Sequence, residues 1–579
     1  MWFQIDIALA GEVAEAAAAC GISGSEFSPD VRISDPKFGD FQSNGILPYA
    51  KAHGVNPKKI AENIVERLRM KEIFRGKISV SVAGPGFINF ELSCEFLAEW
   101  TNSYRSEENY RSALSKNFSG RRIVIDYSSP NTAKQMHVGH LRSMNIGDSI
   151  QRMLKFCGAD VIRDNHVGDW GTQFGILIMA IGRNGLSASD LTLEEIESLY
   201  QWGSALVKED ADALAAARSE LVKLQNGDCE SLKIWEAING ISLAAFDEIY
   251  REMGVSFDMT LGESFYRDRV DSVYAELLNK RIAREDNGAL CVFHGEHERF
   301  SQQPFIVRKA DGASNYASTD LATVLHRTEN LRADELIYVA DSRQRDHFEQ
   351  LFLTVEKWYA AYGRTCPKMR HIFFGTILGE DGKAIKSRSG TPVKLKELLD
   401  EAKARALKIV EEKSENLSAD EKLRAAKVLA IDSIKYVDLL SNRASDYVFS
   451  WDKMLSFDGN TAAYLLYAVA RMKSILRRWN GDPNAVSADV IETEEERHLV
   501  RKLTYFPIIL TQAVEELRPH YICAYLFELT SEYSAFYAAN RVIGEADNVT
   551  SRRLAIVMRT LSVMETAMHL LGLETCERL

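Results

Sequence analysis

The spacing of hydrophobic and polar positions changes several times along the 579 residues of the chain. Apolar residues recur at helical spacing within 6–20 and 57–69, whereas the stretch "KISVSVAGPGFINFEL" (77–92) alternates as β-strands do. The polar stretch 105–122 follows and predicts a connection. Residues 1–115 therefore predict a compact α/β domain.

A strand, a helix and a second strand come next. The β-branched run "RIVIDYSS" (122–129) is typical of a buried strand, and Met144, Ile150 and Met153 then follow at helical spacing. The run "ADVIRDNHV" (159–167) is typical of a second strand. This order predicts a βαβ unit and hence an α/β domain of the Rossmann type, with a parallel, doubly wound sheet.

The rest of the chain divides into a mixed region and a helical one. Segments rich in Leu, Glu, Ala and Lys predict a helical insertion at about 185–285. Strand patterns return at 304–309, 335–341 and 371–378. Beyond about residue 400 the pattern is helical, with core stripes along 464–479 and 525–542. We therefore predict three domains, over 1–115, 116–400 and 401–579.

Composition and charge exclude several classes of protein. No apolar run reaches the roughly 18 residues that a membrane span needs, and the first basic residue is Arg32, which argues against a signal peptide. The net charge of −12 excludes a small basic nucleic-acid-binding protein, although not a local basic surface. Eight cysteines without a CxxC pair disfavour a zinc ribbon. We expect a cytoplasmic protein that does not bind membranes.

Two histidines stand at the junction of the first predicted strand and the helix that follows it. His137 and His140 flank Gly139 in "NTAKQMHVGH" (131–140). In an open parallel sheet, ligands bind at the carboxyl ends of strands, where helix N-termini offer free N–H groups to anions. Imidazoles there can donate hydrogen bonds to oxygens that gain charge in nucleotidyl transfer. A metal pair and histidines without a role are the alternatives, but no third ligand has suitable spacing, so we expect no metal site.

A basic loop is the second candidate element. In "GEDGKAIKSRSGTPVKLKELLDEA" (379–402), Lys383, Lys386 and Arg388 lie close together among glycines and serines. A movable basic loop can close on a triphosphate and neutralise the leaving pyrophosphate. Alone, the loop would be interpreted as a solvated charged surface. Together with the histidines it indicates ATP chemistry at an adenylate-forming site.

These elements resemble the signature sequences of class I aminoacyl-tRNA synthetases. "HVGH" (137–140) resembles HIGH, and "KAIKS" (383–387) resembles KMSKS, from which it departs at Ala384 and Ile385. The surrounding sequence narrows the resemblance to the arginyl-tRNA synthetases. The resemblance extends from "FGDFQSNG" (38–45) to the last residues. The stretches that carry it are "DYSSPNTAKQMHVGHLRS", "HVGDWGTQFG", "SDYVFSWDKMLSFDGNTA" and "LLGLETCERL".

The resemblance implies an architecture and an activity. Residues 1–115 would bind the tRNA D-loop, 116–400 would be the class I catalytic domain with its helical insertion, and 401–579 would be the all-helical anticodon-binding domain. The implied reaction is ATP-dependent ligation of L-arginine to tRNA(Arg) through an arginyl-adenylate, with release of AMP and pyrophosphate. The family is mostly monomeric, uses Mg²⁺ with ATP, and usually activates arginine only when its tRNA is bound.

The resemblance also implies roles for single residues. The catalytic residues would be His137, His140, Lys134, Lys383 and Lys386, and ATP would contact His137, Gly139, His140, Lys383 and Lys386. The arginine substrate would contact Asp126, Asn131, Tyr316, Asp320 and Gln344. A planar guanidinium prefers carboxylate partners, which suits this set. The tRNA would contact Asn44, Tyr537 and Asn540. Without the family, Asp320 could be a helix cap and the tRNA residues a solvated face.

Three other functions are alternatives to arginine–tRNA ligation. A silent paralogue that only binds tRNA would usually lack the two histidines or the basic loop, and this chain has both. A small HxGH nucleotidyltransferase would need neither the N-terminal domain nor the helical one. Another class I synthetase specificity is opposed by the residues expected to contact arginine.

Overall fold

The computed structural model describes residues 1–22, 24–310, 312, 315–385, 392–414 and 416–579. Among these residues, none of the helices combines the length and the apolar character that crossing a bilayer requires.

Short strands are distributed over the whole chain. In chain order they are β1 (Val31–Ile33), β2 (Phe41–Ser43), β3 (Ile78–Ala83), β4 (Phe87–Leu92), β5 (Arg122–Asp126), β6 (Asp160–Asp164), β7 (Ala283–Asp286), β8 (Ala289–Val292), β9 (Phe305–Arg308), β10 (Glu335–Tyr338), β11 (Lys368–His371), β12 (Ile377–Leu378) and β13 (Tyr447–Val448).

Helices make up most of the remaining regular structure. They are α1 (Ile5–Ala19), α2 (Ile46–His53), α3 (Pro57–Met70), α4 (Cys94–Ser103), α5 (Glu107–Leu114), α6 (Val138–Phe156), α7 (Thr172–Arg183), α8 (Leu193–Glu209), α9 (Ala211–Gln225), α10 (Cys229–Glu252), α11 (Glu263–Tyr266), α12 (Val270–Asn279), α13 (Tyr316–Glu329), α14 (Arg345–Tyr362), α15 (Leu395–Lys413), α16 (Ala419–Leu440), α17 (Trp451–Met454), α18 (Ala462–Trp479), α19 (Glu494–Thr504), α20 (Phe506–Glu516), α21 (His520–Ala539) and α22 (Asp547–Leu570).

The first of two compact units combines both ends of the chain, with residues 1–117, 409–436 and 455–579. Its N-terminal part holds an antiparallel sheet of order β1-β2-β4-β3. Asp40, which is buried, accepts a hydrogen bond from the Leu92 N–H at 2.7 Å and faces Arg497 of α19 at 3.4 Å. Because this pair lies in the interior, it fastens the N-terminal sheet to the C-terminal helices of the same unit.

The second unit holds residues 118–408 and 437–454. The pattern of apolar residues predicts that 437–454 belong to the helical region beyond 400. In the structure these residues belong to the second unit, where they add β13 beside β12. The main sheet has the order β11-β10-β5-β6, and each neighbouring pair is parallel. The predicted parallel sheet is thereby confirmed.

The structure corrects one predicted strand. The pattern favoured a strand over 371–378, but β11 ends at His371 and β12 begins only at Ile377. Between them the backbone bonds elsewhere: the Gly375 N–H donates to Arg443 O at 2.9 Å and the Thr376 N–H to Asp446 Oδ1 at 2.6 Å. These donors are therefore unavailable for a continuous strand. The polar stretch 105–122 also contains a helix, α5, which the pattern did not predict.

The contact between α6 and the strand-end loop gives a test of the packing. A Cβ at Gly147 of α6 would lie 2.3 Å from Tyr127 Cγ, whereas a Cβ at Gly240 of α10 would have nothing within 4 Å. We expect Gly147→Ala to lower the free energy of unfolding by about 1–3 kcal/mol, because Tyr127 must move. Gly240→Ala should raise it by up to about 1 kcal/mol through helix propensity. Urea unfolding of both variants checks this, and equal midpoints would contradict the close packing at Gly147.

Candidate active site

The carboxyl ends of the four parallel strands form one row. Asp126 of β5 is in register with Asp164 of β6 on one side and with Tyr338 of β10 on the other, and Tyr338 is in register with His371 of β11. After β6 the chain returns to the opposite side of β5, so the direction of winding reverses between β5 and β10. Ligands of open parallel sheets bind at such a reversal, beyond the carboxyl ends.

The loop that follows β5 has an unusual backbone. Ser128, Ser129 and Ala133 adopt φ values of 73°, 47° and 66°, in the left-handed region that L-residues rarely occupy. Hydrogen bonds hold this conformation: Ser128 N–H donates to Ser143 Oγ at 2.9 Å, and Ser129 Oγ donates to Asp126 Oδ1 at 2.7 Å. Strain held in this way is typical of sites that bind ligands.

The two histidines lie at the N-terminus of α6, with their rings close together. His137 is the residue that caps the helix, and its Nδ1 accepts from the Gly139 N–H at 3.0 Å. His140 Nδ1 accepts from the His137 N–H at 3.1 Å. The ring centroids are 4.1 Å apart. Both rings are therefore fixed by backbone donors at the start of a long helix.

The environment of the histidines keeps them neutral. Burial, reinforced by the neighbouring His137, lowers the pKa of His140 to about 3. Burial also lowers the pKa of His137, and the positive charges of Arg343 and Lys134 act in the same direction. Nδ1 of His137 accepts from a backbone N–H; Nδ1 of His140 lies 3.1 Å from the His137 N–H and 3.3 Å from His137 O, and the shorter contact makes it an acceptor, so that Nε2 carries the proton in both neutral rings. Each ring can thus donate a hydrogen bond to a ligand through Nε2–H.

The basic loop is attached at both of its ends. At its start, Gly379 N–H donates to Lys383 O at 2.7 Å and Ile385 N–H donates to Ile377 O at 3.2 Å, which makes residues 377–385 a tight hairpin, called here the basic hairpin. At its end, Val138 N–H donates to Val393 O at 3.0 Å and Leu395 N–H donates to Met136 O at 2.9 Å. The chain thus returns from the hairpin to the histidines.

The predicted cations occupy different settings. Lys383 is exposed in the basic hairpin, and Lys134 Nζ lies 4.9 Å from the centre of the Tyr200 ring. Lys386 and Arg388 lie outside the described residues. Of the predicted cations, Lys134 and Lys383 can therefore be assigned a position, both in the second unit.

Asp126 pairs with an arginine of the chain itself. Arg327 of α13 is 1% exposed, and its Nη2 lies 2.6 Å from Asp126 Oδ2 and 2.8 Å from Asp164 Oδ2. The sequence did not indicate Arg327 as part of the site. The Asp126 side chain keeps 12% of its surface exposed, so it is held by Arg327 and still borders the open edge of the sheet.

Three carboxyl groups, those of Asp320, Glu263 and Asp169, interact with one another, and we call this cluster the acidic pocket. Glu263, the first residue of α11, is 8% exposed, and burial together with the charges of Asp320 and Asp169 raises its pKa to about 8. Asp320 Oδ2 lies 2.5 Å from His347 Nε2, and Asp169 accepts from the Ser264 N–H at 2.8 Å. Like charges crowded in an interior are relieved either by protonation of one group, as the raised pKa of Glu263 indicates, or by a cation beside them.

Glu263 was missed by the sequence reasoning. It lies in a four-residue helix, far along the chain from either signature stretch. Its sequence signal is an acid between the apolar residues Leu261 and Phe265, which is too common to single out.

The other predicted arginine contacts lie on the surface of the second unit. Tyr316 is the first residue of α13, one turn before Asp320, and is 67% exposed. Gln344 ends the exposed turn Ser342–Gln344. Asn131 is also exposed, and its Oδ1 occupies the space that a Cβ on Gly168 would need.

The three residues predicted to contact tRNA belong to the first unit. Asn44 is half-buried, and both its backbone N–H and its side chain donate to Asp30 O, at 3.1 and 3.4 Å. Tyr537 is half-buried beneath Arg471, whose guanidinium carbon lies 4.9 Å from the ring centre. Asn540 is buried and donates to Phe536 O at 3.2 Å, so its side chain serves the interior of the unit.

Family comparisons match consecutive parts of the chain. Residues 7–92 match the family described as "Arginyl tRNA synthetase N terminal domain". Residues 105–451 match "tRNA synthetases class I (R), catalytic domain", and residues 465–579 match "DALR anticodon binding domain".

Individual relatives are similar over almost their whole length. An arginine–tRNA ligase of Chromobacterium violaceum is 39% identical over 567 residues, covering 97% of this chain and 98% of that protein. One from Haemophilus ducreyi is 40% identical, covering 96% of this chain and 100% of that protein. The crystal structure of the arginyl-tRNA synthetase of Plasmodium falciparum matches with a TM-score of 0.84 at 28% identity, over 100% of this chain and 99% of that one.

The histidine geometry leads to a spectroscopic prediction. With rings labelled with ¹³C and ¹⁵N, the His140 resonances should report a neutral ring protonated at Nε2 down to about pH 4, because burial opposes the charged form. The signal lost in His140→Asn assigns the resonance. A midpoint for His140 between about pH 6 and 7, the range of a solvated histidine, would contradict the geometry.

Proposed function

The chain belongs to the arginyl-tRNA synthetase family of class I aminoacyl-tRNA synthetases, and from this membership we propose how its own residues ligate arginine to tRNA. Like the relatives named above, it is an arginine–tRNA ligase that acts on L-arginine, ATP and tRNA(Arg). The single observation that supports the assignment of its substrate pocket is the excess of carboxyl groups in the acidic pocket.

The guanidinium of the substrate would enter the acidic pocket. Glu263 and Asp320 would accept its N–H donors, and the Tyr316 hydroxyl would lie at the mouth of the pocket. A charged, planar group with five donors matches carboxylates better than any other amino-acid side chain does. Its entry would place a permanent cation beside Glu263, which would then ionise.

The α-amino and α-carboxylate groups of the substrate would lie nearer the end of β5. Asp126 keeps part of its surface free and would pair with the ammonium group, while Asn131 and Gln344 would fix the orientation. Arg327 would hold Asp126 in place. This leaves the substrate carboxylate directed toward the histidines, which also start from the loop after β5.

ATP would lie along the N-terminus of α6. The exposed Gly139 leaves room for a phosphate to approach the backbone, and the Nε2–H groups of His137 and His140 would donate to the phosphate oxygens. Lys383 and Lys386 would neutralise the outer phosphates, and Lys134 would add a cation beside the histidines. Neutral histidines suit this role because they donate without a change of protonation.

In the first step, a carboxylate oxygen of arginine attacks the α-phosphorus of ATP. The new O–P bond forms as the bond from the α-phosphorus to the bridging oxygen breaks, and the electron pair leaves with pyrophosphate. The histidines would stabilise the charge on the phosphorus centre, and the lysines the charge on the leaving group. A hydroxyl of the terminal ribose of tRNA then attacks the arginyl carbonyl carbon, and AMP leaves.

Mg²⁺ would arrive with ATP. Among the described residues there is no group of three or more His, Cys, Asp or Glu side chains that could hold a metal ion. Mg²⁺ is commonly bound through substrate phosphates and water, so this set fits an ion carried by the triphosphate. It would neutralise phosphate charge in concert with the lysines.

For tRNA, Tyr537 with Arg471 offers a stacking surface for an unpaired base, and Asn44 would meet the D-loop. Asn540 would act from the interior, by holding the end of α21 that carries Tyr537. We also propose that the protein works as a monomer in the cytoplasm, as its family resemblance implies.

The activity has a direct test. ATP–pyrophosphate exchange should occur with arginine alone among the amino acids, and only when total tRNA is present. His140→Asn should slow it by about 10²–10³-fold, since one donor to the transition state is lost. Exchange with another amino acid would overturn the pocket, and no exchange with any of them would overturn the ligase mechanism.

The acidic pocket predicts a pH dependence of arginine binding. Because the pKa of Glu263 is about 8 and the guanidinium favours its ionised form, affinity should rise as pH increases toward 8. Calorimetry at pH 7 in buffers of different ionisation enthalpy should detect release of a proton.

Glu263→Gln should abolish this pH dependence and cost about 2–5 kcal/mol of binding free energy. Glu230→Gln, which alters an exposed acid of α10, is the matched control and should behave as the wild type. Proton release that persists in Glu263→Gln would assign the titration to another group.

A further inference from the structure

A fully buried arginine lies two residues after His140 on α6. The Arg142 side chain is 1% exposed. Its guanidinium makes three hydrogen bonds: Nε donates to Asp438 Oδ1 at 3.0 Å, and Nη1 donates to Gly375 O at 2.9 Å and to Ser445 O at 3.0 Å. All four residues belong to the second unit.

The charge of Arg142 is paired with that of Asp438, while its Nη2 has no hydrogen-bond partner among the described residues. Asp438 is also fully buried, and its second oxygen accepts from Asn145 Nδ2 at 3.0 Å. The Tyr447 and Phe374 rings lie beside the guanidinium carbon, with centres 5.2 and 5.9 Å away. A buried ion pair contributes little net stability compared with apolar side chains of similar volume. At this position an arginine therefore contributes mainly through its directed hydrogen bonds to the two carbonyls.

Both carbonyls belong to residues that precede the paired strands β12 and β13, and β12 begins the basic hairpin. Gly375 lies two residues before β12, the first strand of that hairpin, and Ser445 lies two residues before β13. The strands β12 and β13 pair in parallel, and Phe449 N–H continues the pairing by donating to Leu378 O at 2.8 Å. A Cβ on Gly375 would lie 2.6 Å from Ser445 O, so the two chains are in close contact where Arg142 binds them.

Arg142 thus connects the two elements proposed to bind ATP, the histidines of α6 and the basic hairpin, which are called here the ATP elements. His137 and His140 occupy the first turn of α6, and Arg142 lies in the next part of the same helix. Lys383 lies in the hairpin that β12 begins, and Leu378 bridges Ala384 across it. A displacement of α6 relative to the β12–β13 pair would disturb the hydrogen bonds of Arg142 to Gly375 and Ser445.

We propose that Arg142 is a positioning residue for ATP, which sets the distance between the histidines and the basic hairpin by binding α6 to the β12–β13 pair. The proposal rests on the ATP-binding roles proposed above for His137, His140 and Lys383. Arg142 touches no substrate and acts through these residues. The planar fork of the guanidinium can bind one carboxylate and two carbonyls in fixed directions, which an ammonium group cannot do.

The first variant is Arg142→Lys, which keeps the charge beside Asp438 and loses the fork. In exchange assays with total tRNA, kcat/KM for ATP should fall by about 10–100-fold, because small displacements of reacting groups have effects of that size. The KM for arginine should stay within about threefold of the wild type, since the arginine-binding residues do not contact Arg142. Unequal effects on ATP and arginine separate positioning from a general loss of folded protein.

Arg364→Lys is the matched control. Arg364 forms a half-buried ion pair in the second unit, with Nη1 2.6 Å and Nη2 2.9 Å from the two oxygens of Glu276, and it belongs to neither ATP element. We expect its exchange kinetics to match those of the wild type, even if thermal unfolding shifts by as much as in Arg142→Lys.

A second variant keeps the proposal testable if Arg142→Lys does not fold. Arg142→Met combined with Asp438→Asn removes both charges together and leaves Asn145 an acceptor, so the fold should survive. It should show the same selective loss for ATP. Kinetics equal to those of Arg364→Lys in both Arg142 variants would overturn the proposal, as would equal losses for ATP and arginine. A wild-type protein without exchange would instead contradict the proposed function itself.

Discussion

One buried guanidinium holds the two strands that form the centre of the site. Asp126 and Asp164 end neighbouring strands in the same register, so their carboxylates meet at one edge of the sheet. Such charges would repel each other in a low-dielectric interior, and Arg327 lies between them within 2.6 and 2.8 Å. Its pKa is raised well above the ordinary value, because these carboxylates outweigh the effect of burial. The site therefore contains a permanent cation.

The same interaction fixes the helix that carries part of the pocket. Arg327 belongs to α13, which begins with Tyr316 and carries Asp320 one turn later. Ser318 fastens the start of that helix by donating to Val307 O at 2.5 Å. The end of α13 is thus bound to the sheet and its beginning to β9, so that Asp320 faces Glu263 in a fixed geometry. Removal of Arg327 would release both the strand ends and the pocket.

The sequence predicted local structure around the candidate site better than it predicted long-range contacts. The strand–loop–helix arrangement around His137 and His140 followed from local patterns, because both the β-branched run and the helical spacing are short-range signals. The contacts of Arg327 and the burial of Glu263 did not follow, since they join segments far apart in the chain. Asn540 shows the same limit: its residue type suits a nucleic-acid contact, but its helix end directs it inward. The break between β11 and β12 also depends on a distant segment, 437–454.

The central claim is that a fixed set of carboxyl groups selects the guanidinium of the substrate. Citrulline has the same shape as arginine but carries a neutral ureido group. The direct measurement is therefore the ratio of kcat/KM for arginine to that for citrulline in tRNA-dependent pyrophosphate exchange. The account predicts a ratio of about 10⁴–10⁵, because citrulline would leave buried carboxyl groups without their cation. A ratio below about 100, the range that shape alone provides, would contradict it.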